Sequence, residues 1–288
     1  MKKILVQLDS DLQPSVFDRV VAIDAGADDV FAYGNVQPDQ VEGLVHGAIF
    51  TRGPKDLKNT AVFIGGRDVD AGQKLLDRVT KTFFGPIRVS SMIDCNGSNT
   101  TAAAAVLAAG RHVDLSKATV VVFGGTGPVG QRVSELVASS GGTVRITSRD
   151  LERAEEVANV LREHVKGDGK IEAHETASRS GKLAALKGVQ VVFAAGAAGA
   201  RFLTEKEWSG IEGFRVAVDL NAVPPTGLEG IDLQDKGQER HGVICYGALG
   251  VGGLKMKIHR TAIGRMFETN DRVYDVRAIF ELGRELGV

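Results

Sequence analysis

Val120-Val121-Val122-Phe123-Gly124-Gly125-Thr126-Gly127-Pro128-Val129-Gly130 decides the fold. An apolar run that reads as a buried strand passes directly into Gly-x-Gly-x-x-Gly (Gly125, Gly127, Gly130) and then into the start of a helix. In that setting the spacing is that of a dinucleotide-binding turn. The first glycine allows the tight turn, the second lets backbone approach a pyrophosphate, and the third lets helix pack close to strand. The residues between them, Thr126, Pro128 and Val129, belong to the same expected cofactor cradle, since unpaired N–H groups at a helix start favour phosphate. A Gly-rich turn that binds nothing is the plainer alternative, and the strand before it and helix after it weigh against that.

Working outward, a complete α/β pattern precedes the turn. Ile4–Leu8 and Asp29–Tyr33 are strand-like, and Ala48–Thr51 is a further candidate. Ala61–Ile64 runs into Gly65-Gly66, and Ile87–Ile93 closes the section as a strand. Between them lie a helix from Val16 with Val16, Phe17, Val20 and Val21 on one side, one opened by Pro38, and one over Val69–Phe83. Residues 1–97 therefore read as a small α/β domain. An Ala-rich helix capped by Ser98 or Asn99 links it to the glycine turn. From there strand and helix alternate as far as Val243–Tyr246, the pattern of a Rossmann-type doubly wound parallel sheet over residues 98–253. Two terminal helices, from about residue 254 to 288, are expected to pack back toward the first domain.

Bulk properties exclude several classes. With 35 Lys+Arg against 36 Asp+Glu, no strong field attracts nucleic acid or an anionic membrane. No apolar stretch approaches the roughly 20 residues of a membrane span. Gln7 and Asp9 interrupt the N-terminal apolar run, which does not read as a signal peptide. Two distant cysteines, Cys95 and Cys245, lack metal-ligand spacing, so no metal is expected and a reduced, cytoplasmic setting is the natural reading.

The end of the second nucleotide-domain strand sorts the two nicotinamide cofactors. NAD proteins place an acid there for the ribose 2′-hydroxyl, and NADP proteins offer arginine to the 2′-phosphate. Val144–Thr147 ends in Ser148-Arg149-Asp150, with Arg153 one turn on. Taking Ser148 as the diagnostic position gives a hydroxyl and two guanidiniums, which favours NADP. Counting twenty residues from Gly130 reaches Asp150 instead, which would favour NAD. Asp150 lies beyond the apolar run and suits a helix cap, so NADP is the expectation and NAD the alternative.

Several segments together resemble the NADP-dependent methylene-tetrahydromethanopterin dehydrogenases of one-carbon metabolism. They are Pro14–Asp18 (PSVFD), Tyr33–Val36 (YGNV), Phe83–Pro86 (FFGP), Asp94–Thr101 (DCNGSNTT), Gly124–Gly130 (GGTGPVG), Asn221–Gly227 (NAVPPTG) and Gly247–Arg260 (GALGVGGLKMKIHR). The resemblance runs along essentially the whole chain. It implies a two-domain subunit with a ligand cleft between the domains, in a homo-oligomer, and hydride transfer from the pterin's methylene bridge to NADP. Methylene-tetrahydrofolate is the alternative substrate. The Tyr-x-x-x-Lys of related folate dehydrogenase/cyclohydrolases is missing, because Tyr33, Tyr246 and Tyr274 are followed four residues on by Gln37, Gly250 and Ala278.

Such a hydride transfer needs positioning more than acid–base chemistry. The dense polar set Asn96, Ser98, Asn99, Thr100 and Thr101 is the first candidate for pterin contacts. Ser15 and Asp18 are candidates too, with a capping box as the simpler account. Lys255 and Lys257 fall on different helix faces, so at most one serves the site; Lys257 is the choice, for a pterin carbonyl or tail carboxylate, against two surface lysines. His259 receives no catalytic role. Gly196, Asn221 and Gly247, at the carboxyl edge of the sheet, complete the expected cofactor contacts. More remote readings are a shikimate-dehydrogenase-like carbonyl reductase, which needs a proton donor, and a non-catalytic NADP(H) sensor.

Overall fold

The computed structural model describes residues 1–287. In chain order the first elements are β1 (Ile4–Asp9), α1 (Val16–Asp24), β2 (Asp29–Tyr33), α2 (Val41–Phe50), β3 (Thr60–Gly65), α3 (Val69–Thr82), β4 (Ser90–Ile93) and α4 (Ser98–Gly110). They continue as β5 (Thr119–Phe123), α5 (Pro128–Ser139), β6 (Thr143–Ser148), α6 (Leu151–His164), β7 (Lys170–Glu175), α7 (Arg179–Leu186), β8 (Val191–Ala194) and α8 (Glu205–Ser209). The last are β9 (Val216–Asp219), β10 (Lys236–Arg240), β11 (Val243–Tyr246), α9 (Ala248–Met266), β12 (Val273–Tyr274) and α10 (Val276–Glu285).

The chain divides into two units, one comprising Met1–Thr100 with Met256–Leu282, the other Thr101–Lys255 with the residues from Gly283 onward. In the first unit five parallel strands run in the order β12-β4-β3-β1-β2. The strands β3 and β4 are buried along their length, and Val41, Val45 and Ile49 of α2 join Leu75 and Val79 of α3 over them. That helical spacing explains why the strand expected over Ala48–Thr51 is not formed. Ala48 and Ile49 lie on the buried stripe of α2, which begins at Val41, three residues after Pro38. The strand ending at Ile93 is also shorter than expected, because Phe84 and Ile87 first close a tight turn by mutual backbone bonds.

In the second unit the order is β10-β11-β9-β8-β5-β6-β7, parallel except for β10 against β11. The sequence order reverses at β5, between β6 and β8, which is the switch point where a doubly wound sheet binds its ligand. The polar edge strand β10 carries no apolar alternation, so nothing in the pattern of residues marked it. The apolar residues of α1 divide between core and solvent. Val21 and Ala22 are buried, whereas Val16, Phe17, Val20 and Ile23 are at least half exposed.

Candidate active site

In the second unit the glycine turn sits at the carboxyl end of β5. Its left-handed residue is Gly124 (φ +69°), one position before the first glycine of the motif. The tight turn expected of Gly125 therefore falls to Gly124, where a Cβ would stand 2.5 Å from the Cα of Gly196. Gly125 instead packs against Ile146 of β6, and a Cβ on Gly130 would run into the Gly124 carbonyl. Gly127 is the N-cap of α5, with Pro128 at the first turn and no side-chain cap. First-turn N–H groups and the positive helix end are thus left for an anion.

Beside this turn lies a cavity of about 500 Å3, to which Gly124, Thr126, Ser148, Arg149, Arg153 and Gly196 all contribute. Arg149 and Arg153 are exposed and hold no salt bridge among the described residues. Asp150 is turned the other way. Its carboxylate accepts the N–H groups of Glu152 (2.9 Å) and Arg153 (3.4 Å) as the cap of α6, and its own N–H donates to Ser148 Oγ. The wall at the β6 end therefore carries two arginines, with Asp150 committed to a helix cap. These residues fit a phosphorylated dinucleotide.

Residues of this cavity that escaped the sequence reading include Thr176, Lys182, Arg201 and Phe202. None lies in a recognisable motif, and β7, α7 and the loop after β8 bring them in. Lys182 Nζ donates to the Phe202 carbonyl at 2.8 Å, and Arg201 pairs with Glu229 at 2.7 Å. The Phe202 ring stacks on Phe123 at 5.2 Å and covers Gly196, where any side chain would strike it.

Asn221 and Gly247 are not among the residues lining this cavity. Buried Asn221 ties two loops together by donating from Nδ2 to the Ala197 carbonyl (3.3 Å). Its N–H reaches Asp219 Oδ1 at 3.0 Å, and Leu228 N donates to Asp219 Oδ2 at 2.7 Å. Burial pushes the Asp219 carboxyl up, opposed by those N–H donors. Gly247 is packed against the backbone of Asp232 and Leu233.

In the first unit the polar run after β4 is mostly internal. Asp94, fully buried, accepts the N–H of Asn99 (2.8 Å), the N–H of Thr100 (3.1 Å) and the Thr100 hydroxyl (2.6 Å). Asp94 is thus the carboxylate that caps α4, a role expected of Ser98 or Asn99. Ser98 Oγ instead donates to the Cys95 carbonyl and Asn99 Nδ2 to the Ile93 carbonyl. Asn96 is exposed and left-handed (φ +53°), Thr101 is half-buried, and the buried Asn99 Oδ1 has no protein partner. That orphaned oxygen is a feature a ligand or a water would satisfy.

The neighbouring β1–α1 turn is organised by Asp9, a second residue that the sequence reading did not single out. Its carboxylate accepts the N–H groups of Asp11 (2.9 Å) and Ser15 (3.2 Å), and burial pushes its titration up. Ser15 Oγ accepts the Asp18 N–H at 3.2 Å, so Ser15 is the N-cap of α1, with Asp18 buried in the first turn. His259 on α9 is wholly buried in this unit. Its ring stacks on Phe63 (5.9 Å), lies 6.2 Å from Phe17, and brings Nδ1 to 3.9 Å from Asp94 Oδ2. Lys255 precedes His259 by four residues and is half-buried, whereas Lys257 is exposed. Among the described residues no three His, Cys, Asp or Glu side chains gather as a metal site. No helix there is long and apolar enough to cross a membrane.

Residues 16–96 match the family model of the methylene-tetrahydromethanopterin dehydrogenase N-terminal domain. Over 289 residues the chain is 46% identical to "Bifunctional protein MdtA" of Methylorubrum extorquens, covering 99% of both chains. Over 282 residues it is 30% identical to the "NAD(P)-dependent methylenetetrahydromethanopterin dehydrogenase" of the same organism, covering 94% of both. Among solved structures it resembles 5-ketofructose reductase of Gluconobacter sp. strain CHM43 (TM-score 0.55, 14% identity, 99% of both chains). A shikimate 5-dehydrogenase from Listeria monocytogenes (TM-score 0.53, 12% identity) covers 98% of this chain and 96% of its own. At such identities these structures speak for the fold alone.

Proposed function

The chain belongs to the methylene-tetrahydromethanopterin dehydrogenase family, and we propose that it oxidises methylene-tetrahydromethanopterin to the methenyl form with NADP as hydride acceptor. The observation that carries the cofactor half is the uncapped α5 start beside Ser148, Arg149 and Arg153, with Asp150 committed to its helix. NADP, when bound, supplies the hydride-accepting nicotinamide. Ser148, Arg149 and Arg153 hold the 2′-phosphate, and Thr126, Val129 and Gly130 present backbone N–H groups to the diphosphate.

On the substrate side the methylene carbon loses hydride while a ring nitrogen's lone pair forms the new C–N double bond. No proton moves in that step, so the protein needs no acid–base pair at the carbon. Asn96 and Asn99, with the Ser15–Asp18 turn, orient the pterin. Of the two helix lysines, Lys257, which is exposed and belongs to the same unit, takes the polar contact, with Lys255 as the alternative.

The test is direct: purified protein, NADP or NAD, and methylene-tetrahydromethanopterin or methylene-tetrahydrofolate, following reduced nicotinamide and the methenyl product. Turnover is expected with the methanopterin substrate and NADP; inactivity with both pterins would sink the reading.

The exposed apolar face of α1, with Phe31 and Tyr33 on the edge strand β2, supports a homo-oligomer joined through this surface. Val20→Glu, at a site 55% exposed, should lower the mass seen by light scattering without unfolding the subunit. An unchanged mass removes this face from the interface.

A further inference from the structure

A second cavity in the nucleotide unit, of about 620 Å3, opens between α7 and the segment carrying α8. It lies within the size range of small-molecule sites. Its accessible apolar surface comes from Leu183 and Ile211, backed by the buried Leu186 and Leu203, and Leu183 is 60% exposed although its helix packs on the sheet. Around those side chains stand Arg179, Lys182, Lys187 and Lys206, against the single acid Glu207. Glu207 is occupied: its carboxylate closes the α8 capping box with Thr204, a bond that holds its titration down. Arg179, Lys187 and Lys206 hold no salt bridge among the described residues. The surroundings therefore combine apolar side chains with an excess of cations, of which Glu207 pairs with Lys182 alone.

We propose that this cavity binds a single-chain anionic amphiphile, a fatty carboxylate of medium length being the simplest member of the class. Apolar area removes the chain from water, while these cations meet the carboxylate. A peptide fits less well. The backbone of α7 and α8 is paired within its helices, so no sheet edge is offered to an added strand.

The two cavities of this unit share a wall. Lys182 lines both, and it holds the Phe202 carbonyl while standing 3.8 Å from Glu207. Phe202 lines the cofactor cavity and its neighbour Leu203 lines this one. A carboxylate drawn to Lys182 competes with the Phe202 carbonyl, so occupancy here is coupled to cofactor affinity. The site itself rests on this geometry, and only the coupling rests on the cofactor assignment.

Trp208, the one tryptophan of the chain, is buried on α8 and reports on the site without a label. Decanoate titrated into the whole protein, without cofactor, should change Trp208 emission saturably at one equivalent. Leu183→Glu should weaken this at least tenfold, and Lys187→Glu several-fold with a smaller salt dependence. Decan-1-ol and butyrate, each lacking one half of the chemistry, should bind at least tenfold more weakly. Leu183 is solvent-facing, so its variant keeps the fold, and its NADP isotherm serves as the check. No saturable binding overturns the proposal, and so does binding unaffected by Leu183→Glu and Lys187→Glu. An acidic amphipathic peptide that binds where decanoate does not overturns the small-molecule assignment. Saturating decanoate should shift NADP affinity several-fold in the wild type but not in Leu183→Glu; an unshifted isotherm overturns the coupling.

Discussion

The two units place polar groups at the carboxyl ends of their strands in opposite ways. In the second unit the turn after β5 is backbone and glycine, its helix is left uncapped, and Arg149 and Arg153 stand unbridged beside it. In the first unit the turn after β4 is filled with side chains, and most spend their hydrogen bonds on one another around Asp94. One edge keeps its bonding capacity for a ligand. The other uses most of it to hold its own shape, leaving Asn99 Oδ1 as a buried remainder. Polar residues at the two edges should therefore respond differently to substitution: stability first in one, affinity first in the other.

The largest effect is expected at Asp94. Asp94→Ala strands the Asn99 and Thr100 N–H groups and the Thr100 hydroxyl in a buried place. Three donors losing one acceptor should cost about 3 kcal/mol of stability, read from urea unfolding. NADP affinity, set by the other unit, should stay within about twofold of wild type. A stable variant, or one that loses NADP affinity and stability together, breaks the comparison at its strongest point.

Next comes Arg149→Ala. A charge-assisted contact to the 2′-phosphate is worth roughly 1.5–3 kcal/mol, so KM for NADP should rise about ten- to a hundred-fold. KM for NAD and the urea midpoint should hardly move, since Arg149 is exposed and makes no internal bond. Equal effects on both cofactors would remove Arg149 from the phosphate.

The same contrast explains what could be read in the sequence. The edge at β5 was legible because its geometry resides in backbone: Gly-x-Gly-x-x-Gly after an apolar strand fixes a turn and a helix start whatever surrounds them. Even there the turn's left-handed residue is Gly124 rather than Gly125, since φ follows from the strand's exit and not from the motif's count. Lys182 and Phe202 were invisible, because only the β5–β8 pairing brings α7 and the loop after β8 to the glycine turn. At the other edge, Asn96 through Thr101 announced themselves by polarity, yet polarity does not tell a ligand contact from an internal bond. What organises them is Asp94, the residue ahead of the run. The apolar side of α1 shows a related limit: an exposed apolar stripe has the same periodicity as a buried one.

The smallest effect concerns Asp219, which belongs to the nucleotide unit but is built like the other edge. It is buried and accepts the N–H groups of Asn221 and Leu228, so it probes whether the contrast is one of units or of local burial. Its carboxyl titrates above the ordinary value in the folded state, chiefly through burial. Between the unfolded and folded values the native protein therefore binds more protons than the unfolded chain. Stability from this group is greatest at low pH, falls as pH rises through that window, and is level above it. Asp219→Asn has no such step. Asp9, shifted in the same direction, is retained in both proteins and cancels from their difference. Urea midpoints from pH 4 to 7 should thus show wild type losing ground to Asp219→Asn as pH rises, until the difference levels off. A pH-independent difference would mean that the N–H donors offset the burial completely. Asp219 would then behave as an ordinary loop carboxylate, and the contrast would follow the units and not burial.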